Sequence, residues 1–243
     1  MTAAPSSDAH LSEHPLEHPL DNPAWHSLGG VHATLADSVD GARRYRKGIS
    51  VFSAIEQPDE RGWSGLAALW GPERVAVLFR TVSIGEPPVG WTVLDRGLAH
   101  QMTLAEAGPA DGTPIVRLTV DDVPQMLALT ALTKPGPFLA GTIELGAYWG
   151  VFDGSDLIAM AGERNHPPGW TEISAVCTHP SARGRGLAAA LTMHVGRTII
   201  ERGEQPFLHV AVTNHNAHRV YERLGFTTRV MTEFAGVRTP GAV

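Results

Sequence analysis

From residue 115 onward the apolar and polar positions keep clear periods. IVRLT (115–119) predicts a strand, and Thr119 with Asp122 predicts a capping box that starts a helix. Val123, Met126, Leu127 and Ala131 then share one helical face, which KPGPF (134–138) terminates because proline lacks the next amide. AYWGVFDGSDLIAMAG (147–162) holds two apolar runs around Asp153-Gly154-Ser155, the pattern of a tight hairpin, and TEISAVC (171–177) is a further strand. Leu187, Leu191, Val195 and Ile199 recur at helical spacing in a segment that opens near Gly186 and stops at Gly203, ahead of Pro206. FLHVAV (207–212) predicts a buried strand, residues 215–224 a shorter helix and FTTRVMTEF (226–234) a last strand. The order strand, helix, hairpin, strand, helix, strand, helix, strand implies an α/β domain with a mixed sheet and helices on its faces.

The first part of the chain has weaker periods. Gly65–Trp70 predicts a short helix, VAVLFRT (75–81) and QMTLA (101–105) predict strands, and EPPVG (86–90) predicts a turn. The run RRYRK, Arg43 to Lys47, could hold a phosphate but reads first as solvated surface charge. Residues 1–24 show no period and predict a poorly ordered arm, while AGPADGTP (106–113) has the composition of a linker. The expected organisation is therefore an arm at 1–24, an α/β half at 25–105, the linker, a domain at 114–236 and a tail at 237–243. Five histidines, His10, His14, His18, His26 and His32, fall in or near the arm. Such a tract can bind metal, but these spacings fix no common face, so a solvated tail and no metal site are expected.

Composition narrows the function. With 243 residues and 43% apolar content the chain can bury a sizeable core, and a net charge of -6 argues against a nucleic-acid or anionic-membrane binder. A cationic or amine-bearing substrate is the more natural guest. One cysteine, Cys177, rules out an internal disulfide framework and a cysteine-cluster metal site. The opening MTAAPSSDAHLSEHPLEHPL has neither a basic start nor an apolar core, and no apolar run approaches spanning length, so a cytoplasmic location is expected.

The segment THPSARGRGLAAAL (178–191) carries the chemistry. A helix opening at Gly184–Gly186 presents unpaired amides and a positive dipole end, glycine lets an anion approach closely, and Arg183 and Arg185 add charge. No Lys-Ser or Lys-Thr follows as in a P-loop, and no G-x-G-x-x-G is present. Arg183-Gly184-Arg185-Gly186-Leu187-Ala188 matches R-x-x-G-x-A and resembles the acyl-CoA pyrophosphate loop of the GNAT superfamily of N-acetyltransferases. Asn214-x-x-Ala217-x-x-x-Tyr221-x-x-x-Gly225-Phe226 resembles the same family's helix beside the pantetheine arm. The likeness covers about residues 113–234, half of the chain.

The resemblance implies a GNAT-type, mostly antiparallel sheet flanked by helices, and acetyl transfer from acetyl-CoA to a small-molecule or peptide amine by direct attack in a ternary complex. It places the cofactor on the 183–188 loop, on Val176, Cys177 and Thr178 of the strand AVCTHP, and on Asn214, Ala217 and Tyr221. An amide in the Val176–Thr178 segment suits the oxyanion if the strand bulges. Tyr221 is implied as the acid that protonates the thiolate, the alternative being an aromatic packed on a helix face. Glu172 is implied as general base, against a plain salt bridge, with Glu163 a competitor. Asn214 is expected on the pantetheine amides, with Asn216 as an alternative, and Trp149, Trp170 and Phe138 are candidates for the acceptor pocket. Cys177 reads as a buried inert thiol, and His179 as a turn residue. The weaker N-terminal half is expected to be a degenerate copy of the same fold, as in two-lobed members resembling glycine N-acyltransferases, or an unrelated cap. A monomer or homodimer is expected, and the rival reading is a non-catalytic acyl-CoA-binding regulatory module.

Overall fold

The computed structural model describes residues 18–110 and 112–241. Its first half contains helix α1 (Pro23–Gly29), strands β1 (Ala36–Val39), β2 (Ala42–Tyr45) and β3 (Ser53–Ile55), helix α2 (Glu60–Trp70), and strands β4 (Val75–Arg80) and β5 (Thr92–Thr103). The second half contains β6 (Val116–Arg117), α3 (Val123–Thr133), β7 (Tyr148–Asp153), β8 (Asp156–Glu163), β9 (Trp170–Thr178), α4 (Leu187–Glu201), β10 (Gln205–Ala211), α5 (His215–Arg223) and β11 (Thr227–Arg238).

Strands β1-β2-β3 form one antiparallel sheet, and the other eight form a second in the order β4-β11-β5-β10-β9-β8-β7-β6. Only β9 and β10 run parallel in the larger sheet, so the mixed, mostly antiparallel architecture expected from the sequence is the one observed. The boundary expected at 106–113 does not separate two sheets. Strand β5 lies between β10 and β11, and β4 pairs with β11, so both halves contribute to one sheet. Each half also follows one pattern: a hairpin, a third strand, a helix, then a strand parallel to the third. That last parallel relation is β9 with β10 in the second half and the bridge Phe52–Val77 in the first.

The hairpin turns at Gly154-Ser155 with Gly154 at φ 60°, and Asp153 faces Asp156. Leu187, Leu191, Val195 and Ile199 of α4 are buried against Met102, Leu104, Leu208, Val210 and Phe226. α3 covers the opposite face with Met126 and Leu129, beside Tyr148, Met160 and Cys177. Its buried face is only partly the one the apolar spacing marks: Met126 is buried and Val123 packs beside it, but Ala131 is exposed and Thr130 is buried. The Thr130 hydroxyl donates to the Met126 carbonyl, so it can enter the core without a lost hydrogen bond.

Several N-terminal expectations need correction. Residues 18–24, expected in a loose arm, form a short 3-10 turn and the start of α1, with Leu20, Asn22 and Ala24 buried. His10 and His14 lie outside the described residues. His32 is buried, bonded to the Tyr45 hydroxyl and the Leu145 carbonyl. Arg43 stacks on Trp25, and buried Arg44 pairs with Asp37 at 2.6 Å; of RRYRK only Arg46 and Lys47 are exposed. The predicted helix at 65–70 begins earlier, at Glu60, on an Asp59 cap. Gly65 hides this start from the periodicity, yet a Cβ there would sit 2.8 Å from the Asp40 carbonyl, so the glycine serves close packing on β2. Val237 and Arg238, expected in a tail, complete β11.

Candidate active site

The glycine-rich turn is open and uncapped. A 3-10 turn, Pro180–Ala182, is capped by the His179 ring, whose Nδ1 accepts from the Ser181 amide at 3.2 Å. Gly184 and Gly186 follow at φ 80° and φ 78°, and a Cβ on either would meet no atom within 4 Å. Gly186 occupies the N-cap of α4 with no side chain bonded to the helix amides. The first helical hydrogen bond runs from the Ala190 amide to the Gly186 carbonyl, which leaves the amides before it for an external acceptor. Arg183 and Arg185 are exposed beside them, and only a loose 3.8 Å pair joins Arg185 to Asp153. This donor set fits a diphosphate. In the first half the corresponding helix, α2, has its N-terminus filled by Asp59, whose carboxylate accepts from the Gly62 amide at 2.9 Å. An anion would be repelled there.

The sheet opens beside this loop. β9 and β10 pair only over Trp170–Glu172 and Gln205–Phe207. Beyond that, the inner edge of β9 has no strand partner among the described residues. Opposite β8, four β9 residues from Ser174 to Cys177 face three from Met160 to Gly162, so β9 bulges, and Ala175 takes φ 52°. The bulge on which an oxyanion donor depended is present. The His179 amide donates to Ile158 on β8, so by alternation the Thr178 amide points to the open edge, as does that of Val176. Cys177 is buried, and burial pushes its thiol up to about 11, which leaves it an inert packing residue.

Helix α5 lies on the same sheet face as α4. Asn214 caps it, its side-chain oxygen accepting from the Ala217 amide at 3.2 Å, which holds the start of the helix. The oxygen of Asn216 accepts from Arg219 at 2.6 Å. Ala217 and Tyr221 pack against the α4 core, and the Tyr221 ring meets Phe226 edge-on at 5.8 Å between centroids. The phenol has no hydrogen-bond partner among the described residues, and burial raises its pKa to about 12. It is a protonated donor with no acceptor among the described residues.

Glu172 is overturned as the general base. It is 0% exposed and accepts from Arg164 Nε at 2.8 Å, from Arg164 Nη2, from Asn165 Nδ2 at 2.7 Å and from His209 Nδ1 at 2.7 Å. Burial alone would raise its pKa, but the Arg164 guanidinium and the bonds from Arg164 and His209 hold it well below the carboxylate range. A carboxylate so stabilised as an anion is a poor proton acceptor. The network continues through Gln101, whose amide nitrogen bonds the Leu20 carbonyl at 2.7 Å and the second His209 nitrogen at 3.2 Å. The Gln101 oxygen accepts from Arg229. His209 Nε2 must therefore accept, which makes Nδ1 the donor to Glu172. Glu163 is likewise buried and paired with Arg202 at 2.7 Å.

On the α3 face, next to the bulge, a cleft is lined by Ser50, Phe52, Phe138, Tyr148, Arg164 and Ala175, among others. Of the three aromatics proposed for the acceptor pocket only Phe138 lies here. Trp149 packs against His194 and Arg117, and Trp170 against His18. Sequence reasoning missed Arg164, Tyr148 and the N-terminal Ser50 and Phe52. Nothing local in SVF or GERNHPP distinguishes them from surface or core, and the strand register alone brings them together.

Comparison with known proteins agrees with this geometry. The model of the FR47-like protein family matches residues 148–235. A crystal structure of a GNAT-family protein from Novosphingobium aromaticivorans DSM 12444 is 37% identical, superposes with a TM-score of 0.84 and covers 93% of this chain and 100% of its own. A GCN5-related N-acetyltransferase from Kribbella flavida shares the fold at 16% identity, with a TM-score of 0.61, 90% of this chain and 95% of its own covered. A GCN5-related N-acetyltransferase-like protein from Streptococcus suis 89/1591 shares it at 14% identity and a TM-score of 0.52, covering 88% of this chain and 92% of its own. No curated protein matches the sequence significantly. With the uncapped glycine loop and splayed β9–β10 pair matched by full-length similarity at this identity, the chain belongs to the GNAT family, whose membership supports acyl transfer as its chemistry.

Proposed function

We propose that the protein is an N-acetyltransferase that moves the acetyl group of acetyl-CoA to a primary amine by direct attack within a ternary complex. The observation that carries this reading is the uncapped start of α4, with two open glycines, beside a β9 edge whose amides have no strand partner. The amides of residues 186–189 and the side chains of Arg183 and Arg185 would hold the diphosphate, and the free edge of Val176–Thr178 would pair with the pantetheine amides. Acetyl-CoA, when bound, supplies a thioester: the amine forms a C–N bond at its carbonyl, the C–S bond breaks and CoA leaves as a thiolate.

Each remaining task falls to residues of this chain. A β9 amide at the bulge donates to the developing oxyanion. Tyr221 stays protonated at any working pH because burial raises its pKa, so its hydroxyl donates a hydrogen bond to the departing sulfur as the C–S bond breaks, and solvent supplies the final proton to the thiolate. With Glu172 buried and locked as an anion and no acidic residue in the cleft lining, the ammonium proton of the acceptor leaves to water. Cys177 forms no acyl-enzyme, because its thiol is buried and raised. The free, buried thiol also suits a cytoplasmic setting, and among the described residues no helix is long and apolar enough to cross a membrane.

Incubation with acetyl-CoA and an amine panel, following free thiol, tests the proposal. Amine-dependent thiol release with an acetylated product is expected. Saturable CoA binding without thiol release on any amine would favour a non-catalytic acyl-CoA-binding module.

A further inference from the structure

We infer that the acceptor is an amine that carries a carboxylate on the same small molecule, as a free amino acid does, and that Arg164 receives that carboxylate. The inference rests on the acyl-transfer reading above. Arg164 has five N–H donors, of which Glu172 takes one from Nε and one from Nη2. Its Nη1 has no partner among the described residues, and the side chain, 14% exposed, lines the cleft beside the β9 bulge. The guanidinium carbon sits over the Phe52 ring, 4.3 Å from its centroid, and the remaining donors lie in the guanidinium's own plane. Glu172, the balancing charge, is wholly buried and is not part of the cleft wall.

The charge around the cleft points the same way. No acidic residue lines it, and none lines the adjoining cleft on the other side of the Pro135–Phe138 loop, where Lys134 is the charged group. A polyamine or lysine chain would bring further positive charge to a lining that offers Arg164 and Lys134 and no carboxylate. The cationic guest suggested by the net charge of -6 is therefore disfavoured where it would bind. A carboxylate instead satisfies guanidinium donors that would otherwise meet only trapped water, while its amine can reach the bulge at Ser174–Ala175. The surrounding hydroxyls of Ser50, Thr142 and Ser174 suit a polar, compact molecule.

The test compares free amino acids, their primary amides, the matching amines without the carboxyl group, and dipeptides, using thiol release from acetyl-CoA by the full chain. At least one acid is expected to exceed its amide and its decarboxylated counterpart tenfold or more in kcat/KM. Preference for the dipeptide over the free amino acid would overturn the small-molecule assignment. Turnover that is fastest on a carboxylate-free amine would overturn the inference while leaving acetyl transfer standing. Calorimetric titration of the CoA-loaded protein separates the two readings: an amino acid that binds where its amide does not, without turnover, upholds carboxylate recognition and defeats transfer. Neither binding nor turnover defeats both. Arg164→Lys keeps the charge for Glu172 but loses the fork. It is expected to raise KM for the acid at least tenfold with kcat changed less than threefold, and to leave the amide unaffected. An equal loss on acid and amide would show a structural role only.

Discussion

At the scale of single residues, the contrast between Tyr221 and Glu172 decides the chemistry. Tyr221 is half-buried, its hydroxyl without a partner among the described residues, and Glu172 is buried with every lone pair occupied. Tyr221→Phe keeps the ring contact with Phe226 and removes only the proton. Its kcat is expected to fall about 100-fold, within the usual range for a general acid, with the Kd for CoA unchanged by calorimetry. Glu172→Gln is expected to act on stability, because it leaves Arg164 buried with half its compensation, at a cost of about 3 kcal/mol visible in the melting temperature. Its rising pH limb of kcat/KM should not move, whereas loss of a true base would abolish that limb. The folded pKa of Glu172 lies below its ordinary value of 4.5, so its stabilisation is fully present above that value. It erodes as pH falls below about 4.5 and the unfolded chain takes up the proton first. Acid titration of melting temperature should show this slope in the wild type and a shallower one in Glu172→Gln. The motif residues were legible before any fold was known, because a glycine turn and a phenol at fixed spacing carry their chemistry locally. The burial of Glu172 was not legible, since its partners come from the loop after β8 and from β10.

At the scale of elements, two helices with the same place in the chain pattern have opposite N-termini. α2 is closed by the Asp59 carboxylate, and α4 is left open by Gly186. Gly186→Asp would place an acceptor over the same amides and add negative charge. Its Kd for CoA is expected to rise at least tenfold, while the melting temperature changes little, because a gained cap of ~1 kcal/mol offsets the strain of a left-handed residue. Tighter CoA binding in this variant would refute the assignment of the loop. Asn214→Ala removes the α5 cap, and a loss of ~1 kcal/mol with a raised KM for acetyl-CoA is expected from a frayed helix carrying Tyr221. The periodicity found α4 and the β7–β8 hairpin because each has one apolar face and a glycine at its end. It missed half of α2, where Gly62 and Gly65 are required by neighbouring backbone and lower local helix propensity. It also found only the C-terminal end of β5, as 101–105, and only the N-terminal part of β11, as 226–234.

For the whole molecule, the exchange of strands joins the halves. β5 fills the space between β10 and β11, and β11 in turn covers β4. Residues 114–243 expressed alone would lose β5 and expose unpaired edges of β10 and β11. This fragment is expected to be insoluble or unfolded by circular dichroism, and co-expression with residues 1–113 should restore a soluble complex. A folded, CoA-binding fragment would show that the halves are independent. The first half also supplies Ser50 and Phe52 to the acceptor cleft, so even a rescued complex would depend on it for substrate choice. We propose that this half is a lobe of the same pattern whose anion site was closed by Asp59.

The sequence alone determined the glycine loop, the α5 motif, the hairpin and the class of sheet, because these depend on backbone freedom, amide exposure and short-range period. The tertiary structure decided which carboxylate is locked, where β5 inserts and which guanidinium faces the acceptor. Those properties arise from charges and strand edges that are distant in the chain, and only the register of the folded sheet brings them within bonding distance.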